Sequence, residues 1–104
     1  MKLLIAASLF MLSTASMAAG DAAAGKAKAA TCIACHGENG VSLIPNYPNL
    51  AGQKVDYIVA QLQAFKSGER KGASSAIMAP MAAGLSEQDM MDLAAYFSGL
   101  EAAK

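Results

Sequence analysis

The chain has no tryptophan, a single histidine and two cysteines, and aromatic residues make up only 6% of its 104 positions. It also has no excess of charge: eight Lys and Arg stand against eight Asp and Glu. A balanced chain offers no electrostatic reason to expect a nucleic-acid partner or adsorption to an anionic membrane surface. The longest apolar run, "LLIAASLFML" at residues 3–12, is about half the ~20 residues that a membrane-spanning helix needs. No internal repeat and no alternating strand pattern is visible, and nothing suggests a second domain.

That apolar run has a different meaning. Met1 and Lys2 give it a short positive start, and "STASMA" closes it with small residues, Ser16 and Ala18 falling where a cleavage site wants them. Residues 1–18 are read as a secretory signal peptide cut between Ala18 and Ala19, leaving 19–104 as the mature domain; an uncleaved membrane anchor is the other reading. No cysteine stands at the junction to take a lipid. A domain of this size buries only about 60–65% of the surface of its unfolded chain and often needs a staple.

Helical periodicity dominates the mature part. Asp21 is placed to cap a first helix running through Ala22–Cys32. In "QKVDYIVAQLQAFKSG" the apolar residues Val55, Ile58, Val59, Leu62 and Phe65 form one stripe of an amphipathic helix that Gly68 stops. A third helix starts at Ser86, with Asp89 three positions on as in a capping box and Leu85 and Met90 as a staple; Met90, Leu93, Ala94, Phe97 and Leu100 form its buried stripe. Residues 37–52 and 67–84, rich in Gly, Pro, Asn and Ser, read as loops. The second is long enough to imply that it wraps around something.

Both cysteines and the histidine fall in "CIACH", Cys32 to His36. A thioredoxin-like dithiol wants a strand before the first cysteine, and none is indicated. A structural zinc needs four ligands, and the chain has no further Cys or His. A plain disulfide would close too short a loop to gain much, and it gives His36 no role. Covalent haem attachment uses all three residues: the thiols add to two vinyl groups, and the adjacent imidazole reaches the iron. One helical turn sets Cys32 and Cys35 on the same side, with His36 next in line.

With "CIACH", "YPNLAGQ" and "MAPMAAGLSEQDMMDLAAYFSGL", residues 20–100 resemble a class I c-type cytochrome of the small bacterial single-haem kind, and one half of the bacterial two-haem cytochromes. The resemblance implies an all-α cytochrome c fold of three or more helices wrapped around one covalently attached haem c, its first and last helices crossing with Gly25 against Tyr96 or Phe97. It further implies Cys32 and Cys35 as thioether residues, His36 as proximal iron ligand, and the Pro48 carbonyl as acceptor for the other imidazole nitrogen. Leu50 would pack on the haem and Tyr57 would reach a propionate. The distal ligand is Met78 by the family's spacing to the helix cap at Ser86, with Met81 the alternative. Met90 and Met91 lie inside the third helix and suit that role poorly. The chain departs from the family in having no tryptophan, and in carrying Gly72, Ala73, Ser74 and Ser75 where an aromatic lining would anchor propionates.

An iron held by His and Met has no vacant position, so such a site moves one electron and does no bond chemistry. The function this implies is a periplasmic one-electron carrier and not an enzyme. It would be a monomer that shuttles electrons between a redox protein donor and an acceptor of a respiratory chain, with no nucleic-acid partner and no stable membrane insertion. Two alternatives stay open: a haem c subunit of a larger periplasmic oxidoreductase, and a five-coordinate haem protein that binds a gas or turns over peroxide. The last predicts no methionine in the distal loop. Lys66, Arg70 and Lys71 form a positive cluster near that loop, suited to docking a partner or simply a solvated turn.

Overall fold

The computed structural model describes residues 19–104, so the expected signal peptide, residues 1–18, lies outside the described residues. Five helices follow one another: α1 (Ala22–Lys28), α2 (Ala30–His36), α3 (Val55–Ser67), α4 (Ser75–Ala83) and α5 (Glu87–Ser98). The described residues contain no strand, and the all-α expectation stands.

Each helix end has a local cause. Asp21 caps α1, its carboxylate accepting from the Ala23 and Ala24 N–H groups. The expected single helix over Ala22–Cys32 is in fact two. At Ala29 the backbone flattens to ψ −1° and its N–H reaches back three residues to the Lys26 carbonyl at 3.3 Å, a tightened turn that re-aims the chain. Ala29 is buried in the core, where only a methyl side chain has to be accommodated at the break. Ser86 and Asp89 form the expected capping box at the start of α5. Gly68 ends α3 in the left-handed region at φ +82°, as its place in the sequence suggests.

The second loop is the main correction. Ser75–Ala83 forms a helix rather than an irregular segment, with Pro80 inside it. Pro80 and the Gly and Ser residues before it signalled a break, yet "SAIMA" contains good helix formers and α4 packs along α3. A proline there removes one backbone donor, and tertiary packing outweighs that loss.

The core is the crossing of the terminal helices. α1 packs chiefly on α5, and α5 also packs on α3. Met90, Leu93, Ala94 and Phe97 of α5 are buried, and the cluster around them takes in Ala29, Ile58 and, less completely, Leu50, Val59, Leu62, Leu85 and Leu100. The expected stripes therefore face inward, with the exception of Val55, which stays exposed at the first turn of α3. Gly25 makes the crossing possible: a Cβ built there would lie 2.0 Å from the Asp92 carbonyl oxygen and 2.8 Å from the Tyr96 Cβ. The aromatic that meets Gly25 is thus Tyr96, while Phe97 fills the core, its ring centroid 5.0 Å from that of Tyr96.

Candidate functional site

α2 carries the candidate residues. Cys32 and Cys35 are half-buried with free thiols, and His36 is buried at 6% exposure. Burial pushes the Cys32 thiol above its ordinary value, opposite to the low value that a redox dithiol uses to attack. The helix stops immediately after His36 because Gly37 takes φ +90°. A side chain there would also meet the Val41 carbonyl oxygen at 1.9 Å, so the chain folds back closely against Gly37.

The segment that folds back delivers Pro48. His36 Nδ1 lies 2.8 Å from the Pro48 carbonyl oxygen. A carbonyl only accepts, so Nδ1 carries the proton and donates, and Nε2 is the nitrogen left with its lone pair in the neutral ring. No hydrogen bond is made to Nε2 among the described residues. The same segment is fastened by the Leu50 and Ala51 N–H groups, which donate to the Gly40 carbonyl at 2.8 and 3.0 Å.

The other expected site residues are placed as follows. Leu50 packs against the core cluster of Ala29, Ile58, Leu93, Ala94 and Phe97. Tyr57 sits in the first turn of α3, half exposed. Met78 and Met81 both lie on α4, Met78 half-buried and Met81 exposed at 52%. Of the expected positive cluster, Lys66 donates to the Leu85 carbonyl at 2.5 Å, and the Arg70 guanidinium stacks 4.4 Å over the Phe65 ring while donating to Gln61 at 3.0 Å. Two of its three cations are thus engaged, Lys66 tying α3 to the segment before α5 and Arg70 folding back on α3 itself.

One group went unnoticed in the sequence. Asp92 is buried at 3% exposure on the inner face of α5. Its carboxylate accepts from Lys28 Nζ at 2.6 Å, from the Asp21 N–H at 2.8 Å and from Gln88 Nε2 at 2.8 Å. It ties the start of α1, the end of α1 and α5 into one knot. A buried carboxylate needs such partners, but a lone Asp beside an apolar stripe does not reveal them.

The donor set fits a covalently attached haem. It holds two free thiols one helical turn apart and one imidazole with Nδ1 already engaged, while the thioethers of Met78 and Met81 sit on a separate helix, α4. Among the described residues no group of three or more His, Cys, Asp and Glu is assembled to hold a bare metal ion, and no helix is long and apolar enough to cross a membrane.

Comparison with known proteins agrees. The cytochrome c family model matches residues 22–101. Cytochrome c-554(548) of Halomonas halodenitrificans is 53% identical over 83 residues, covering 80% of this chain and 100% of that protein. The crystal structure of reduced recombinant cytochrome c4 from Pseudomonas stutzeri superposes with TM-score 0.69 at 47% identity, over 80% of this chain and 47% of that one. Thiosulfate dehydrogenase from Marichromatium purpuratum matches at TM-score 0.73 and 40% identity, over 79% of this chain and 20% of that one. The chain thus spans the whole of one relative, about half of the second and a fifth of the third. A helix that ends in two thiols and an oriented imidazole, inside a fold shared with these proteins, makes this chain a member of the cytochrome c family, in which cytochromes c4 and c-554 carry electrons rather than catalyse reactions.

Proposed function

We propose that residues 19–104, released by cleavage between Ala18 and Ala19, form a periplasmic one-electron carrier built on a single haem c. A bound haem supplies a reversible one-electron change at its iron. Cys32 and Cys35 hold it by thioether bonds, and His36 presents Nε2 as the proximal ligand. Pro48 keeps that ring in one tautomer and one orientation, which raises its basicity. Met78 on α4 is the distal ligand, with Met81 as its alternative; Leu50 and Tyr57 line the group and its propionate edge. An iron that took both the His36 imidazole and a methionine thioether would keep no position open for a substrate. Electrons would pass between a redox protein donor and a redox protein acceptor, with the carrier acting as a monomer.

The observation that carries this reading is His36, buried at 6% exposure with Nδ1 held 2.8 Å from the Pro48 carbonyl. That arrangement commits one nitrogen to the protein and leaves the other for a ligand. The test is a pair of visible to near-infrared spectra, oxidised and reduced, of mature protein made with haem-attachment machinery. A low-spin c-type spectrum with a sulfur-to-iron charge-transfer band is expected. A high-spin spectrum without that band overturns the reading in favour of an open iron.

A second reading rests on the match to a fifth of thiosulfate dehydrogenase: a domain of this kind also occurs inside an oxidoreductase. Sedimentation of the protein from its own periplasm separates the two, a free carrier running near its own mass and a subunit with its enzyme.

A further inference from the structure

The His36–Pro48 hydrogen bond has a second bridge running beside it. The Ser42 N–H donates to Asn49 Oδ1 at 2.7 Å, and the Ser42 hydroxyl lies 3.3 Å from the Cys35 carbonyl oxygen. Cys35 immediately precedes His36, and Asn49 immediately follows Pro48. The bridge therefore joins the neighbour of the donor to the neighbour of the acceptor. The same hydroxyl lies 2.8 Å from the Ile44 carbonyl, so that its one proton is shared between two carbonyls, and it accepts from the Ile44 N–H at 3.0 Å, which holds Ser42 itself in place.

Pro48 needs such help. It is exposed, and a proline has no N–H with which to tie its own residue into the backbone network. The position of its carbonyl is set by what fixes the flanking residues. On the far side these are the Leu50 and Ala51 N–H groups on the Gly40 carbonyl. On the near side the Asn49 side chain makes the cross-link, reaching over the loop to Ser42.

We infer that Ser42 and Asn49 are positioning residues for the axial imidazole: by holding the Pro48 carbonyl against Nδ1 they set how strongly His36 donates to iron, and with it the reduction potential. The physical link is the Nδ1 proton. The closer the carbonyl holds it, the more electron density the ring offers through Nε2, which favours oxidised iron and lowers the potential. A slack loop does the reverse. The inference rests on the reading of His36 as an iron ligand, and the low-spin spectrum of the unaltered protein tests that reading by itself.

The experiment uses holoprotein carrying Asn49→Ala, Asn49→Asp or Ser42→Ala. Two quantities are read: solvent exchange of the His36 Nδ1 proton, by NMR of the reduced protein, and the midpoint potential, by spectroelectrochemical titration. Asn49→Ala is expected to speed exchange about tenfold, the loss of roughly one hydrogen bond from the local opening equilibrium, and to raise the potential. Asn49→Asp keeps the acceptor oxygen and should return exchange to the rate of the unaltered protein. Ser42→Ala keeps the backbone donor but loses the hydroxyl, and should shift both readouts in the same direction by less. Unchanged exchange and potential in Asn49→Ala, with only a lower melting temperature, overturn the proposal and leave the pair as ordinary loop supports. Should Asn49→Ala fail to yield holoprotein, Ser42→Ala is read in its place, and an unchanged exchange rate there overturns the proposal equally.

Discussion

Lys28 and Asp92 meet across the crossing of α1 and α5, with Nζ 2.6 Å from Oδ2, and the same ammonium lies 2.8 Å from Asp89 Oδ1. One cation on the first helix thus holds two carboxylates on the last, within the contact where α1 packs on α5. Asp92 is the inner of the two, its side chain 4% exposed against 28% for Asp89.

This pairing predicts how stability depends on pH. Hydrogen bonding from Lys28, before any other cause, holds the Asp89 and Asp92 carboxyls down at about 2. An unfolded Asp titrates near 3.9, so the folded state binds these protons less readily than the unfolded state does. The stabilisation is complete above about pH 5, declines as the pH falls through about 4, and is lost as the pH falls through about 2. Asp92→Asn should lower the neutral-pH melting temperature by roughly 5–10 °C and flatten the acid limb. Melting curves from acid to neutral pH, taken on holoprotein, check this. Parallel curves for variant and parent would remove Lys28–Asp92 as the source of the acid sensitivity.

The helix crossing makes a second prediction. In Gly25→Ala the new Cβ must displace backbone at the Asp92 carbonyl, which should cost about 3 kcal/mol, the upper end for overpacking. Gly84→Ala is the control: Gly84 has φ −88° and nothing within 4 Å of a built Cβ. Less freedom in the unfolded chain should there stabilise by about 0.4–1 kcal/mol. Urea unfolding of both variants tests the pair. Equal effects would mean that α1 can shift on α5 without cost.

The distal ligand is separable by substitution. Met78→Ala should abolish the sulfur-to-iron charge-transfer band and raise the high-spin fraction, while Met81→Ala keeps the band. Both residues sit on α4, Met78 half-buried and Met81 exposed, and a partly covered thioether is the better placed for a group held inside the fold. Loss of the band in Met81→Ala alone would reverse the assignment.

Haem removal should cost the domain its packing. The described core is small, with Phe97, Met90 and Leu93 its largest fully buried side chains, and Leu43, Ile44, Ile77 and Met81 are exposed. Chains this short often depend on a bound group for stability. Mature protein made without attachment is expected to lose its near-UV circular dichroism and its cooperative melting transition. A sharp transition with native near-UV signal would show that the polypeptide core suffices.

The helical fold was legible because its signals are local. The capping box at Ser86 and Asp89, the Asp21 cap and the Gly68 stop are each set by residues within one turn of the helix end, and all three are seen. The apolar stripes were legible for the same reason, since a period of 3.6 residues marks one face whatever that face packs against. Val55 was misplaced because a stripe does not show where its neighbour's surface ends. α4 was missed because Pro80 and the preceding Gly and Ser residues outvote alanine and methionine locally, and packing on α3 reverses the vote.

The site divides along the same line. "CIACH" singled out Cys32, Cys35 and His36 as candidates by itself, because their spacing within one helical turn is a local property of the chain. What the tertiary structure alone decided is everything joined over distance: the break at Ala29, Tyr96 rather than Phe97 against Gly25, the Lys28–Asp92 pair, and the Ser42–Asn49 link beside Pro48. Lys28 and Asp92 are 64 residues apart. No periodicity or motif couples positions so distant; only the packing of α1 across α5 brings an ammonium to a buried carboxylate.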